Sequence, residues 1–263
     1  MDLGIKDKLA LVAASSSGLG KAVARALSQE SAIVAVCSRS KEKIESAAAE
    51  IQAETGNTVL PFICDVTNHK SVQKMIDFLT IEYGGIDILV CNAGGPPAGK
   101  ALSFDLSDYE RAVQLNLLST VRLCQAVIPQ MERKHWGRII TVTSVSVKQP
   151  IDNLILSNTA RAGVTGYLKT LSNIVAPFGI TVNAVCPGYT KTDRVKNLAS
   201  AFAADGKGTE ADFYLQLEKD IPARRLGDPD DLGKTVAFLA SEAAGYITGI
   251  SLQIDGGFIK GLF

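Results

Sequence analysis

The chain has 263 residues, 46% of them hydrophobic, and its 27 basic and 27 acidic side chains leave a formal net charge of zero. That length allows one large α/β unit or two small ones, and that apolar content excludes wholesale disorder. The balanced charge argues against a nucleic-acid footprint or an acidic membrane surface as partner.

The opening MDLGIKDKLALVAASSSG is charged and runs straight into a short apolar stretch, unlike a secretory signal. No apolar run approaches the length that crosses a bilayer. Five cysteines are scattered without CxxC spacing, which suits buried residues in a reducing cytosol better than disulfides or a metal site. A cytoplasmic protein without a bound metal is expected.

Strand-like and helix-like segments alternate along the chain. Lys8–Ala14 is a short apolar run, followed by a glycine turn and a helical pattern in LGKAVARALSQE. Ala32–Ser38 precedes KEKIESAAAEIQAETG, whose final glycine marks a helix stop. Thr58–Cys64 is a weaker strand because Pro61 removes a ladder donor. The helical HKSVQKMIDFLTIEYGG, the strand-like Ile86–Asn92 and the loop AGGPPAGKALSF follow. A long helical stretch runs from about Asp108 to His135, then the strand Arg138–Ser144, a helix over 157–178, and the strand Ile180–Cys186. Apolar strands between amphipathic helices predict a doubly wound parallel sheet covered on both faces. No linker or repeat divides the chain, so residues 1–263 read as a single Rossmann-type domain. Residues 192–220 break the rhythm: this polar stretch contains two glycines and reads as a lid-like insertion beyond the strand ends, or as a surface excursion.

In VAASSSGLGKAVA, Gly20 would let the first helix approach the sheet and Gly18 would let backbone approach a phosphate, with the helix N-terminus facing it. Ala14 stands where the dinucleotide pattern has its first glycine. With this turn the chain resembles the short-chain dehydrogenase/reductase family, in particular its 3-oxoacyl-(acyl-carrier-protein) reductases. AASSSGLG answers to TGxxxGxG, CDV (Cys64–Val66) to the adenine-side aspartate, CNAGG to NNAG, and LNLLS supplies the helix asparagine Asn116. VTS supplies the active-site serine Ser144, CPGYTKT (Cys186–Thr192) answers to PGxxxT, and RLGDPDDLGKTVAFLAS and YITGISLQIDGG resemble the closing segments.

The resemblance covers nearly the whole chain and implies NAD(H) or NADP(H) binding. Ala14, Ser16, Ser17, Gly18, Leu19 and Gly20 would form the phosphate turn, and Asp65 and Val66 the adenine side. Asn92, Ala93 and Gly94 would line the adenine ribose, with Gly188, Tyr189, Thr190 and Thr192 on the nicotinamide side. The resemblance also implies a small carbonyl or alcohol substrate and a homo-oligomer, tetramer or dimer. Ser38 ends the second strand without a charge, and Arg39 follows. An acid at the strand end would repel a 2′-phosphate and a guanidinium clamps one, so NADP(H) is favoured over NAD(H). Arg39, Lys41 and Lys43 as a solvated face is the bland alternative.

In the family, a tyrosine and a lysine four residues later carry the proton chemistry. The family's spacing from Ser144 reaches Ser157 and Arg161, and none of the six tyrosines has a lysine four residues on. Arg161 keeps a cation able to donate to ribose hydroxyls, but it releases no proton near neutrality. Ser157 is a far weaker acid than a phenol, and the space it leaves could hold an ordered water. Lys148 in VSVKQPIDN is a candidate substitute acid, with Tyr189 second; a solvated lysine and a packing tyrosine are the alternatives. Two functions are thus expected to compete. One is an NADP(H)-dependent oxidoreductase with an atypical relay; the other is a weak or silent dinucleotide-binding protein or partner subunit. Ile151, Leu154, Ile155, Leu198, Phe202 and Phe213 suggest a partly apolar substrate pocket, and Arg194, Lys196 and Lys207 face either an acidic carrier or coenzyme A, or solvent.

Overall fold

A computed structural model describes residues 2–262. Seven parallel strands form one sheet: β1 (Leu9–Val12), β2 (Ile33–Ser38), β3 (Val59–Ile63), β4 (Ile88–Cys91), β5 (Gly137–Val142), β6 (Ile180–Pro187) and β7 (Ser251–Ile254), in the order 3-2-1-4-5-6-7. The last of these was not among the expected strands. Its neighbour β6 is buried along its whole length, whereas β7 at the edge is half-buried and carries Ser251 and Gln253, so its apolar signal is faint. At the other edge lies β3, where Pro61 can sit without costing the sheet a bond.

Successive side chains along a strand point to opposite faces. Leu9, Leu11, Ala35, Cys37, Leu89 and Cys91 therefore join one apolar layer, and Ala10, Val12, Val34, Val36, Ile88 and Val90 the other. The first layer is closed by α3 (His69–Tyr83), α5 (Ser119–Lys134) and α6 (Ile155–Val175). The second is closed by α1 (Gly18–Gln29), α2 (Lys41–Thr55) and a C-terminal helix at Pro229–Ala240. All five cysteines are free and buried. No helix among the described residues is long and apolar enough to cross a membrane, and none of their side chains cluster as a metal site.

The stretch expected as one helix from Asp108 to His135 is interrupted. A short α4 (Leu106–Ala112) leads into one wide π-helical segment, Val113–Leu118, before α5 begins. Side chains take up carbonyls there: Asn116 Nδ2 donates to Ala112 O at 3.2 Å, Ser119 Oγ to Leu115 O at 2.5 Å and Thr120 Oγ1 to Asn116 O at 2.9 Å. Such a bulge is built from polar side chains, and the apolar period alone does not reveal it. The insertion at 192–220 is likewise more regular than its composition suggests, forming α7 (Asp193–Ala204) and α8 (Glu210–Asp220), ahead of α9 (Pro229–Ala240). Thr209 starts α8 with a reciprocal capping box to Asp212.

The order reverses between β1 and β4, so the loops after these strands part and leave a crevice at their carboxyl ends. Two features fix that crevice. Asn92 Nδ2 donates to Ala14 O at 3.1 Å, tying the two loops, and a Cβ on Gly20 would lie 2.5 Å from Ala14 O and 2.7 Å from Asn92 Nδ2. Ala14 itself holds φ +47°, a conformation in which a side chain costs roughly 1 kcal/mol. Two substitutions in this turn should therefore act in opposite directions. Ala14→Gly is expected to raise the unfolding free energy by about 0.5–1 kcal/mol, and Gly20→Ala to lower it by about 1–3 kcal/mol through overpacking. Urea unfolding midpoints of the two variants check both signs.

Candidate functional site

The crevice is a continuous cavity of about 590 Å³ running over the carboxyl ends of the strands from β3 to β6. At one end the loop after β2 contributes Ser38, Arg39 and Ser40, and the first turn of α2 adds Lys43. Ser40 caps α2, accepting from Lys43 N at 3.4 Å, and Ser38 Oγ donates to Ser40 O at 3.1 Å. Among the described residues no carboxylate pairs with Arg39 or Lys43, whereas Lys41 faces outward to Glu45 at 3.9 Å. Opposite them lie Cys64, Asp65 and Val66. Burial pushes the Asp65 carboxyl up, but the Thr67 backbone and hydroxyl donate to Oδ1 at 2.9 and 2.7 Å. With the nearby Arg39 and Arg122 charges they hold it below the usual range. The other carboxylate oxygen has no donor among the described residues and is free for a ligand amino group.

In the middle of the cavity the first βα turn presents Ala14, Ser16, Ser17, Gly18 and Leu19. Gly18 has φ +55°, and Ser17 caps α1 by backbone alone, its side chain making no bond to the first-turn N–H groups. Those donors, together with the helix dipole, remain available to an anion. Asn92, Ala93, Gly94 and Gly95 face the turn, and a Cβ on Gly94 would meet nothing within 4 Å. A glycine turn, an uncapped helix start, a free carboxylate oxygen and open space over the β4 loop together fit a dinucleotide.

The far end carries hydroxyls on apolar walls. Ser144 follows β5 and caps a 3₁₀ turn, Val145–Val147. Its Oγ accepts from Ser146 N at 3.1 Å, so the hydroxyl proton is left for the cavity. Ser157, only 7% exposed, is the third residue of α6 and lines the same end. One turn on, Arg161 is 8% exposed and donates through Nη1 to Val142 O (2.8 Å) and Thr143 O (2.9 Å), and through Nη2 to Ala93 O (3.4 Å). Burial first, and the Arg194 charge second, pull its guanidinium down to about 10, still protonated at neutral pH. Gly188, Tyr189, Thr190 and Thr192 form the wall after β6. Burial pushes the Tyr189 phenol up, and its ring packs edge-on to Phe258 at 5.4 Å.

Three of the expected site residues do not line the cavity. Gly20 lies beneath it, where its role is close helix–sheet approach. Asn116, 4% exposed in the π-helical segment, sits behind Leu115, which does line the cavity; its Oδ1 has no partner. Lys148, at the end of the 3₁₀ turn, is not among the lining residues, and its charge is felt at the Cys186 thiol, beside the lining Thr143. Of the expected apolar wall, Ile151, Leu154 and Leu198 line the cavity. Ile155 instead packs under α4, and Phe202 packs at a tilt against Phe213 with ring centroids 5.5 Å apart. Sequence reasoning missed Cys64 and Gly95 as lining residues, read Lys43 only as part of a solvated face, and left Arg194 between a ligand contact and solvent. For Lys43 the signal was available, three residues after a serine N-cap.

The fold and this cavity define a dinucleotide-binding protein of the doubly wound class. Residues 13–259 match the family model described as enoyl-(acyl carrier protein) reductase. The chain is 35% identical to the 3-oxoacyl-[acyl-carrier-protein] reductase FabG of Haemophilus influenzae over 96% of its length and 98% of that protein. It is 34% identical to dehydrogenase/reductase SDR family member 4 of Sus scrofa over 96% of the chain and 88% of that protein. Among solved structures it superposes on L-sorbose reductase from Gluconobacter frateurii, complexed with NADPH and L-sorbose, with a TM-score of 0.94 at 29% identity over 100% of both chains. It matches an actinorhodin polyketide ketoreductase with NADPH at a TM-score of 0.92 and 28% identity, covering 96% of this chain and 97% of that one. The chain belongs to the short-chain dehydrogenase/reductase family of NAD(P)-dependent oxidoreductases.

Arg161 bridges the strand-end carbonyls of β5 and the loop after β4. Arg161→Met, which leaves those carbonyls without a donor, is expected to lower the unfolding free energy by about 2–3 kcal/mol. Arg161→Lys, with one ammonium in place of a fork, should recover part of that loss. Chemical denaturation of the three proteins side by side tests the order.

Proposed function

We propose that the chain reduces a ketone, or oxidises the matching secondary alcohol, with NADP(H), at the Ser144–Ser157 end of the cavity and without a phenol in the proton relay. One observation carries this reading: the serine pair and the Arg39–Lys43 pair lie at opposite ends of one uninterrupted cavity. A dinucleotide lying along it would have its adenosine under Arg39 and its reactive ring beside the hydroxyls. When bound, the nicotinamide supplies the hydride.

The chain's own residues do the rest. Arg39 and Lys43 hold the 2′-phosphate by charge-assisted bonds, and the first-turn N–H groups of α1 hold the pyrophosphate. Asp65 accepts from the adenine amino group, and Asn92, Ala93 and Gly94 line the ribose. Ser144 donates to the substrate oxygen. Ser157 and Arg161 occupy the positions of the family's tyrosine and lysine. Ser157 holds a water where a phenol would reach, and that water delivers the proton; Arg161 keeps positive potential beside it without titrating. The buried, unpartnered Asn116 Oδ1 supports a second water behind the cavity, resupplying the first from solvent. Helices α7 and α8 act as a lid on a single-domain enzyme that works in the cytoplasm as a homo-oligomer.

Two measurements test this. In the first, Arg39→Ala is expected to weaken NADPH binding by about 10- to 100-fold and Lys43→Ala by a few-fold, with NADH little changed, since each bond to a charged group contributes about 1.5–3 kcal/mol. Equal loss for both nucleotides would remove the 2′-phosphate assignment. The second is a single-turnover assay with NADPH against 3-oxoacyl thioesters and small ketones. The native protein should oxidise NADPH with some member of the panel, and Ser144→Ala should slow that step at least about 100-fold. Silence in the native protein, with turnover only in Ser157→Tyr/Arg161→Lys, would replace this reading with that of a dinucleotide-binding protein.

A further inference from the structure

Arg194 is the second residue of α7, and its side chain folds back over the cavity instead of leaving for solvent. A Cβ built on Gly95 would lie 3.2 Å from both its Cζ and its Nε, so the guanidinium packs into the space that the glycine leaves. Two residues earlier, Arg161 reaches up to Ala93 O from below. The loop after β4 is thus flanked by two guanidinium groups, and burial lowers the pKa of both. Among the described residues neither is within ion-pair distance of a carboxylate, and the Arg194 guanidinium makes no side-chain hydrogen bond. Two acids line the cavity. Asp65 is at the adenine end, and Asp193 is exposed at the start of α7.

A half-buried, unpaired cation next to a fully buried one is an expensive arrangement. Helix stability does not explain it, because a cation in the first turn of α7 opposes the helix dipole. The other cations of the segment are disposed differently: Lys207 pairs with Asp205 at 2.7 Å, and Lys196 is exposed. Both Nη atoms of Arg161 are already directed at carbonyls, so the free planar fork at this end belongs to Arg194. Ile151, Leu154, Val195 and Leu198 give this end apolar walls, and the side-chain donors there besides the two arginines are neutral hydroxyls.

We propose that Arg194 is a specificity residue that reads a carboxylate on the substrate, so that the carbonyl compound handled between Ser144 and α7 is a small oxo acid. The inference rests on the proposed placement of the substrate at the Ser144–Ser157 end. A guanidinium fork matches the two oxygens of a carboxylate, and the apolar walls accommodate the short carbon chain that joins it to the carbonyl. The field of Arg161 adds to the attraction without a direct bond.

The test is calorimetric binding to the NADPH-loaded protein, with acetoacetate and levulinate each set against its methyl ester, and dihydroxyacetone phosphate as a phosphate-bearing ketone. The acids should bind about tenfold or more tightly than their esters. Arg194→Gln should abolish that preference while leaving the Kd for NADPH and for the esters within about threefold, and Arg194→Lys should restore part of it. Esters that bind as well as the acids, or no acid binding at millimolar concentration, would overturn the proposal. So would tighter binding of dihydroxyacetone phosphate, which would make the anion a phosphate. A loss of NADPH affinity in Arg194→Gln with the acid–ester ratio unchanged would assign the residue to the cofactor's pyrophosphate instead. Binding requires no turnover, so an acid preference in a protein silent in the single-turnover assay would leave the carboxylate site standing while the reductase reading fell.

Discussion

The constraint on which the site depends is a guanidinium held almost out of water by backbone carbonyls alone. Arg161 donates to Val142 O and Thr143 O at the end of β5 and to Ala93 O beyond β4. Strand ends release carbonyls with no ladder partner, and a buried carbonyl must find a donor. A single planar group with five N–H donors meets three of them from one point. In doing so it fixes α6 against the sheet and sets the distance between the two loops that line the cavity. Ser157, one helical turn before it on the same face, takes its position from this anchor.

The anchor works because the sheet supplies a crevice to span. The reversal of strand order between β1 and β4 parts the loops, and Asn92 donating to Ala14 O limits how far. Gly20 then leaves room for α1 to start beneath the ligand, with its first-turn donors aimed along the crevice. Ala14 accepts left-handed backbone strain to make the same turn. Folding energy from the two apolar layers is thus used locally to hold a few polar groups in orientations they would not adopt in a free chain.

Short continuous apolar runs made the first six strands and the two-faced cover readable, because alternate residues enter opposite layers and both layers are apolar. What the apolar pattern could not carry was local polar geometry. Asn116, Ser119 and Thr120 bond to helix carbonyls and widen one turn inside what reads as a continuous helix. The serine cap after β5 starts a tight turn that ends at Lys148, a local geometry that counting four residues along the chain from Ser144 does not reveal. Lysine and arginine in the 192–220 segment look alike as a charged run. Only the fold separates Lys207, paired on the surface, from Arg194, laid over Gly95. The glycine turn, by contrast, was legible because its residues are dictated by sterics: Gly20 admits no side chain at all.

On the proposed reading, the serine at 157 and the arginine at 161 amount to one change. A lysine beside a phenol has two duties, holding a ribose and lowering the phenol's pKa. Once the phenol is gone, the second duty disappears, and with it any advantage of a compact ammonium over a guanidinium fork. The fork can then serve the strand-end carbonyls fully, which the distances of 2.8 and 2.9 Å at Nη1 show it doing. A cation so engaged has little freedom to follow a proton, so the acid must come from solvent held by hydroxyls. Such a site suits a substrate whose own charge places it firmly, because positioning then has to supply more of the rate than acid strength does.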